Sequence, residues 1–171
     1  MGVRALGIDP GSRLTGWGVV ERTGSSLRAL GCGTVVLAAT ETLGKRLARL
    51  QDACRELCAA WRPDVIVLER AFVARNVQSA LRLGEVRGVV LAAVAGSGAE
   101  LRELTPAEAK LGAVGHGTAD KDAVARGVRA RLALAELPAP DAADALALAL
   151  CLLERAPLEA AIAAAGRRGR G

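Results

Sequence analysis

Apolar residues recur along the chain with two different periods, and each change of period marks an element boundary. Leu6 and Ile8 alternate with Gly7 and Asp9, a period of two that predicts a strand over residues 3–9 with one face turned inward. Pro10 lacks an N–H for a ladder and Gly11 tolerates positive φ, so the chain must bend just after Asp9. Thr15–Val20 and Leu27–Leu37 predict two more strands, the latter interrupted by Gly31 and Gly33; the short links imply an antiparallel meander. From Glu41 the period lengthens. Leu43, Leu47, Leu50, Cys54, Leu57 and Trp61 fall on one helical stripe that ends at Arg62-Pro63.

Asp64–Glu69 is a continuous apolar run of strand length closed by an acid, as expected of a strand buried on both faces and reached by a helical crossover. A helix is predicted over about 77–95 and a fifth strand over Glu100–Leu104. Thr105-Pro106-Ala107-Glu108 has a capping residue, a proline at the first helical position and an acid in the first turn, announcing a short helix that carries Lys110. A glycine-rich loop over 112–118, a basic helix from Asp120 to about Ala133, a stiff Pro138-Ala139-Pro140 connector and a last helix over about 141–164 complete the chain. The expectation is one α/β domain over residues 1–165, with a three-strand meander and two further strands, and a mobile basic tail over 166–171.

Composition narrows this little. With 171 residues, 51% hydrophobic and 24% charged, the chain has apolar material for one ordinary core. Its net charge of +5 points weakly toward an acidic partner such as nucleic acid. Cys32, Cys54, Cys58 and Cys151 lack the spacing of zinc sites and are expected to be small buried hydrophobes. No apolar run is long enough to span a bilayer and no charged-then-apolar leader opens the chain, so no membrane association and a cytoplasmic location are expected. Ala80, Gly84, Gly88 and Ala92 recur every four residues along the second helix, so something packs close to its backbone: a partner helix in a dimer, or the domain's own sheet.

The acids carry the candidate chemistry. Asp9 and Glu69 stand at strand exits; Asp141 and Asp144, three apart, share a helix face in a first turn where the helix dipole favours acids in any case. Four converging carboxylates repel one another unless cations lie among them, and an oxygen-only set without His or Cys selects Mg²⁺ or Mn²⁺. Phe72, in a polar loop with Arg70, Arg75 and Asn76, is expected to be exposed and able to stack on a base; Trp17 and Trp61 are expected to pack in the core. His116, in the glycine-rich loop, suits a phosphate contact or no role better than a metal.

The segments Gly7-Ile8-Asp9-Pro10-Gly11-Ser12 through Thr15-Gly16-Trp17-Gly18, Glu69-Arg70-Ala71-Phe72 through Asn76, Ser79-Ala80-Leu81, Leu83-Gly84 and Asp141-Ala142-Ala143-Asp144-Ala145-Leu146 resemble the RuvC family of bacterial Holliday-junction resolvases over nearly the whole chain. The resemblance implies a ribonuclease H-like fold, a five-stranded mixed sheet flanked by helices, a homodimer, and symmetric nicking of two like-polarity strands of a four-way DNA junction. It places the four catalytic, metal-holding acids on Asp9, Glu69, Asp141 and Asp144, basic site residues on Lys110 and Lys121, and the base-stacking aromatic on Phe72. It also implies the branch-migration partners RuvA and RuvB. Two-metal hydrolysis needs ions about 3.5–4 Å apart, which Asp9 would bridge, with Glu69 on one and Asp144 and Asp141 on the other. Lys121 or Lys110 would neutralise the transition state or contact the phosphate backbone. Three rival readings share parts of the pattern: an actin-like sugar kinase or ATPase, a ribonuclease H acting on another nucleic acid, and a non-catalytic junction-binding protein.

Overall fold

The computed structural model describes residues 2–70, 77–115, 117 and 119–168, those from 156 onward by backbone alone. Strands β1 (Val3–Asp9), β2 (Leu14–Thr23) and β3 (Ser26–Val36) form the antiparallel meander. Helix α1 (Leu43–Trp61) ends on Arg62, which takes a left-handed conformation just before Pro63. It leads into β4 (Val65–Glu69), parallel to β1. Helix α2 (Val77–Val94) then returns the chain to β5 (Glu100–Leu104), parallel to β4. The sheet order is β3-β2-β1-β4-β5.

Both faces of this sheet are covered, not one. Leu6, Ile8, Val19, Ile66 and Leu68 meet α1 and α2 through residues such as Leu50, Cys54, Val86 and Val90. Ala5, Val20, Val65 and Val67 meet α3 (Pro106–Val114), α4 (Lys121–Arg131) and α5 (Pro140–Arg168) on the other side. Period two in β1 therefore separates two buried faces, and Gly7 belongs to the face that receives α5. Gly31 and Gly33 in β3 do not break the strand; side chains there would strike the rings of Trp61 and Trp17, whose centroids lie 6.3 Å apart.

The bounds of α3 and α5 differ from expectation. Helix α3 continues through Gly112 to Val114, because the missing side chain lets the helix lie against Cys151: a Cβ at Gly112 would fall 2.5 Å from the Cys151 Cβ. Helix α5 starts on Pro140, whose fixed φ suits a first helical position, so Asp141 lies in its first turn and Asp144 in the second. It also runs to Arg168, past the expected end near Ala164. Among the cysteines, Cys54 and Cys151 are buried, but Cys32 is exposed on β3, an edge strand. The small-residue stripe of α2 faces away from the sheet: Ala80, Gly84, Gly88 and Ala92 are exposed, and a Cβ at either glycine would meet open space. The sheet is thus excluded as the surface that packs on it. No helix among the described residues is long and apolar enough to cross a membrane.

Candidate active site

Asp9 and Glu69 end neighbouring parallel strands whose last paired residues are Ile8 and Leu68, so the two acids leave the sheet side by side. The Thr15 hydroxyl and the Gly11 carbonyl, 3.4 Å apart, hold the turn that follows Asp9. Asp144 arrives from 135 residues away because α5 lies with its backbone directly on glycines of the sheet. Gly16 pairs with Asp9 in the β1–β2 register. A Cβ at Gly16 would lie 1.9 Å from the Asp141 carbonyl oxygen, and one at Gly7 would lie 1.9 Å from that of Ala145.

Asp9, Glu69 and Asp144 thereby line a cavity of about 360 Å³ together with Lys110 from α3 and Lys121 from α4. Pro106, Ala109, Val124 and Ala147 complete its wall. Asp141 is half-buried beside this cavity and outside its lining, though its charge is still felt at Asp9. Lys110 reaches the site from a helix whose start is the expected capping box. The Thr105 side chain accepts the Glu108 N–H at 3.2 Å while the Thr105 N–H donates to Glu108 at 2.8 Å. The Thr105 N–H, Arg155 at 2.9 Å and the Thr105 hydroxyl, all donating to it, pull the Glu108 carboxyl down to about 2.

Burial, then the charges of Glu69 and Asp144, push the Asp9 carboxyl up to about 7, against a weaker pull from Lys121. Glu69 is raised as well, by burial and then by Asp144, with Lys121, Lys110 and Arg87 opposing. Lys121 is raised chiefly by Asp144, to which its Nζ comes within 3.2 Å. Lysine is an unfavourable choice at the first position of α4, where the dipole repels a cation and where Asp120 already caps the helix by accepting the Ala123 N–H at 2.7 Å. Its place there is explained by the acids it faces. Among the described residues no three His, Cys, Asp or Glu side chains close up as a finished metal group. The burial and crowding of hard oxygen donors that push the Asp9 carboxyl up are nevertheless what a divalent cation relieves.

Sequence reasoning missed one participant. Arg87, to which the sequence assigned no role, reaches from α2 to donate to the Glu69 carbonyl oxygen and pairs with Glu103. Arg70, 3.8 Å from the same Glu103, also donates its N–H to Leu104. Arg87 thus clamps the end of β4, and no local spacing signals it. Replacing Arg87 by Met should loosen Glu69 and lower the single-turnover rate of the site's chemistry by on the order of tenfold, with substrate affinity changed less; stopped reactions at saturating protein measure this. Phe72, Arg75, Asn76 and His116 lie outside the described residues.

A sheet in the order 3-2-1-4-5, with acids at the adjacent ends of its first and fourth strands and a helix bringing another across, defines a protein of the ribonuclease H-like class. Residues 5–152 match the model of the family "Crossover junction endodeoxyribonuclease RuvC". The chain belongs to that family. It is 48% identical to the Alkalilimnicola ehrlichii member over 163 residues, covering 95% of this chain and 98% of that one. It superposes on Thermus thermophilus RuvC with a TM-score of 0.81 at 34% identity, covering 92% and 97% of the two chains. T. thermophilus RuvC in complex with a Holliday junction substrate gives a TM-score of 0.82 at 30% identity, covering 91% and 96%.

Proposed function

We propose that this chain resolves four-way DNA junctions in recombination and repair, by paired symmetric nicks in strands of like polarity. The observation that carries the reading is the single cavity where Asp9, Glu69 and Asp144 meet Lys110 and Lys121, in a chain that aligns along its length with junction endonucleases. Asp9, Glu69 and Asp144, with Asp141 behind them, would hold Mg²⁺ or Mn²⁺, two per site. Such ions activate water for attack on phosphorus and stabilise the leaving 3′ oxygen. Asp9, on the central strand of the sheet, would be the most rigidly held of these ligands.

The chain's own cations do the rest. Lys121 and Lys110 face the same cavity as the acids and can lie against the non-bridging oxygens of the scissile phosphate, offsetting the charge that grows during displacement. Lys121 must exchange Asp144 for phosphate or share it, which suits a compact, mobile ammonium better than a guanidinium. Phe72, with Arg70, Arg75 and Asn76, is assigned to the DNA at the junction centre. Two like phosphates are matched by two like sites only across a two-fold axis, so the working form is a homodimer. The open stripe of Ala80, Gly84, Gly88 and Ala92 supports α2 as its contact. The remaining assignments are a cytoplasmic location, cooperation with RuvA and RuvB, and a single nuclease domain over 1–165 with a basic tail over 166–171.

Product mapping on a symmetric junction, with and without Mg²⁺, tests the whole. Paired nicks at symmetric positions, only with the metal, support it; preferential cutting of an RNA–DNA hybrid, or binding without any cut, replaces it with a rival. Lys121→Met should reduce cleavage at saturating protein by about 10²–10³-fold. A purely affinity-giving lysine would instead leave that rate intact and lower only the salt slope of binding by about 1.

A further inference from the structure

Across the β1–β2 turn from the acids, on the α1 and α2 side of the sheet, lies a second cavity of about 300 Å³. Ser12, Arg13, Arg46 and Arg82 surround it over an apolar floor that includes Leu37 and Val86, and among the described residues no carboxylate lines it. Several other arginines are neutralised by acids: Arg4 and Arg28 reach Glu21, Arg49 reaches Glu41, Arg102 reaches Glu100 and Arg131 reaches Glu154, while Arg22 and Arg129 donate to backbone carbonyls. Arg13, Arg46 and Arg82 have no ion pair with a carboxylate among the described residues.

The pocket is also built rather than accidental. The Arg46 guanidinium donates to the Ser12 carbonyl, while its Nε is buried without a partner. The Arg13 carbonyl accepts the Leu37 N–H at 2.8 Å, tying the β1–β2 turn to the segment that leads into α1. Three guanidiniums around one concavity repel one another, and an anion removes that cost. Arginine forks match phosphate oxygens in particular.

We propose that Arg13, Arg46 and Arg82 form a second phosphate site that grips the DNA backbone beyond the scissile position. The identification of the phosphate as DNA rests on the nuclease reading; the anion site rests on the cavity itself. Ser12 follows Asp9 by three residues, a chain reach of at most about 11 Å. A strand crossing the end of the sheet therefore passes from the acid cavity to the arginine cavity over this turn. The arginines anchor the backbone on one side while the acids address the cleaved bond on the other.

The test is junction affinity as a function of salt between about 50 and 200 mM, in EDTA so that nothing is cut, for Arg13→Gln, Arg82→Gln and the pair. Each substitution is expected to lower the slope of log affinity against log salt by about 0.9, so that each variant loses about threefold less affinity than the parent over that range. Arg55→Gln, on an arginine paired with Asp52 across a helix turn, serves as the control and should leave the slope unchanged. Slopes equal to the parent's in both variants, with thermal midpoints preserved, overturn the site. So does a midpoint raised by inorganic phosphate at fixed ionic strength while both slopes stay at the parent value, which would make the pocket a free-anion site. Reduced slopes support it even if the parent fails to nick junctions in Mg²⁺, a result that would sink only the nuclease reading.

Discussion

Asp9→Asn is expected to abolish junction cleavage, by at least on the order of 10²–10³-fold, and at the same time to make the metal-free protein more stable above pH 7. The Asp9 carboxyl is pushed up to about 7 from an ordinary value of 3.8, so between those values the folded chain holds a proton that the unfolded chain has released. The contribution of Asp9 to stability is therefore full below about pH 4, falls as pH rises, and is lost above about pH 7. The shift sets an upper bound of about 4 kcal/mol, and about 2 kcal/mol is a fair expectation for a half-buried carboxyl that solvent still reaches. Asparagine keeps the shape without the charge and should remove this slope, raising the thermal midpoint by about 4–8 °C at pH 8 in EDTA. Melting curves at pH 5 and 8 measure it. A midpoint that drops at both pH values would show that Asp9 stabilises the fold and that its crowding by Glu69 and Asp144 is misread.

Gly16→Ala is expected to destabilise the protein by about 3 kcal/mol or more and to remove cleavage with it. The added methyl would sit 1.9 Å from the Asp141 carbonyl oxygen and 2.4 Å from its carbon, against helix backbone that has no rotamer with which to yield. Relief requires α5 to lift off the sheet, taking Asp144 away from Asp9. A misplacement of about 1 Å at such a site costs on the order of 10²-fold in rate. Gly44→Ala supplies the contrast: it lies in α1 with open space around it, and should be neutral or stabilising by up to about 1 kcal/mol. Chemical denaturation of the two variants, with single-turnover cleavage, distinguishes a close contact from a general intolerance of side chains at glycine. Equal stability of Gly16→Ala and the parent would mean that α5 does not rest on the sheet as described.

These two residues show how unevenly the site was legible. Asp9 and Glu69 stood out because a strand that ends on an acid is a local pattern, complete within six or seven letters. The Thr105–Glu108 cap and the helix stop at Arg62-Pro63 were readable for the same reason. Gly112 was misread as loop, since glycine lowers helix propensity and its compensating contact with Cys151 is nearly forty residues distant. Pro140 was assigned to the connector although it opens α5, because proline suits both places equally. Arg87 gave no signal: its partners are a backbone oxygen on β4 and an acid on β5.

By itself the order of residues determined the succession of strands and helices, the placing of two acids at strand exits and two on one helix, and, through its motifs, the family. Such features depend on neighbours within a few positions, where backbone sterics and side-chain period act. Tertiary structure alone decided that α5 rests on Gly7 and Gly16, that Asp144 and Lys121 share a cavity with Asp9 and Glu69, and that Arg13, Arg46 and Arg82 face one hollow. Charge interaction and burial depend on distance through space, and between segments this far apart in the chain only the packing of helices on the sheet sets that distance.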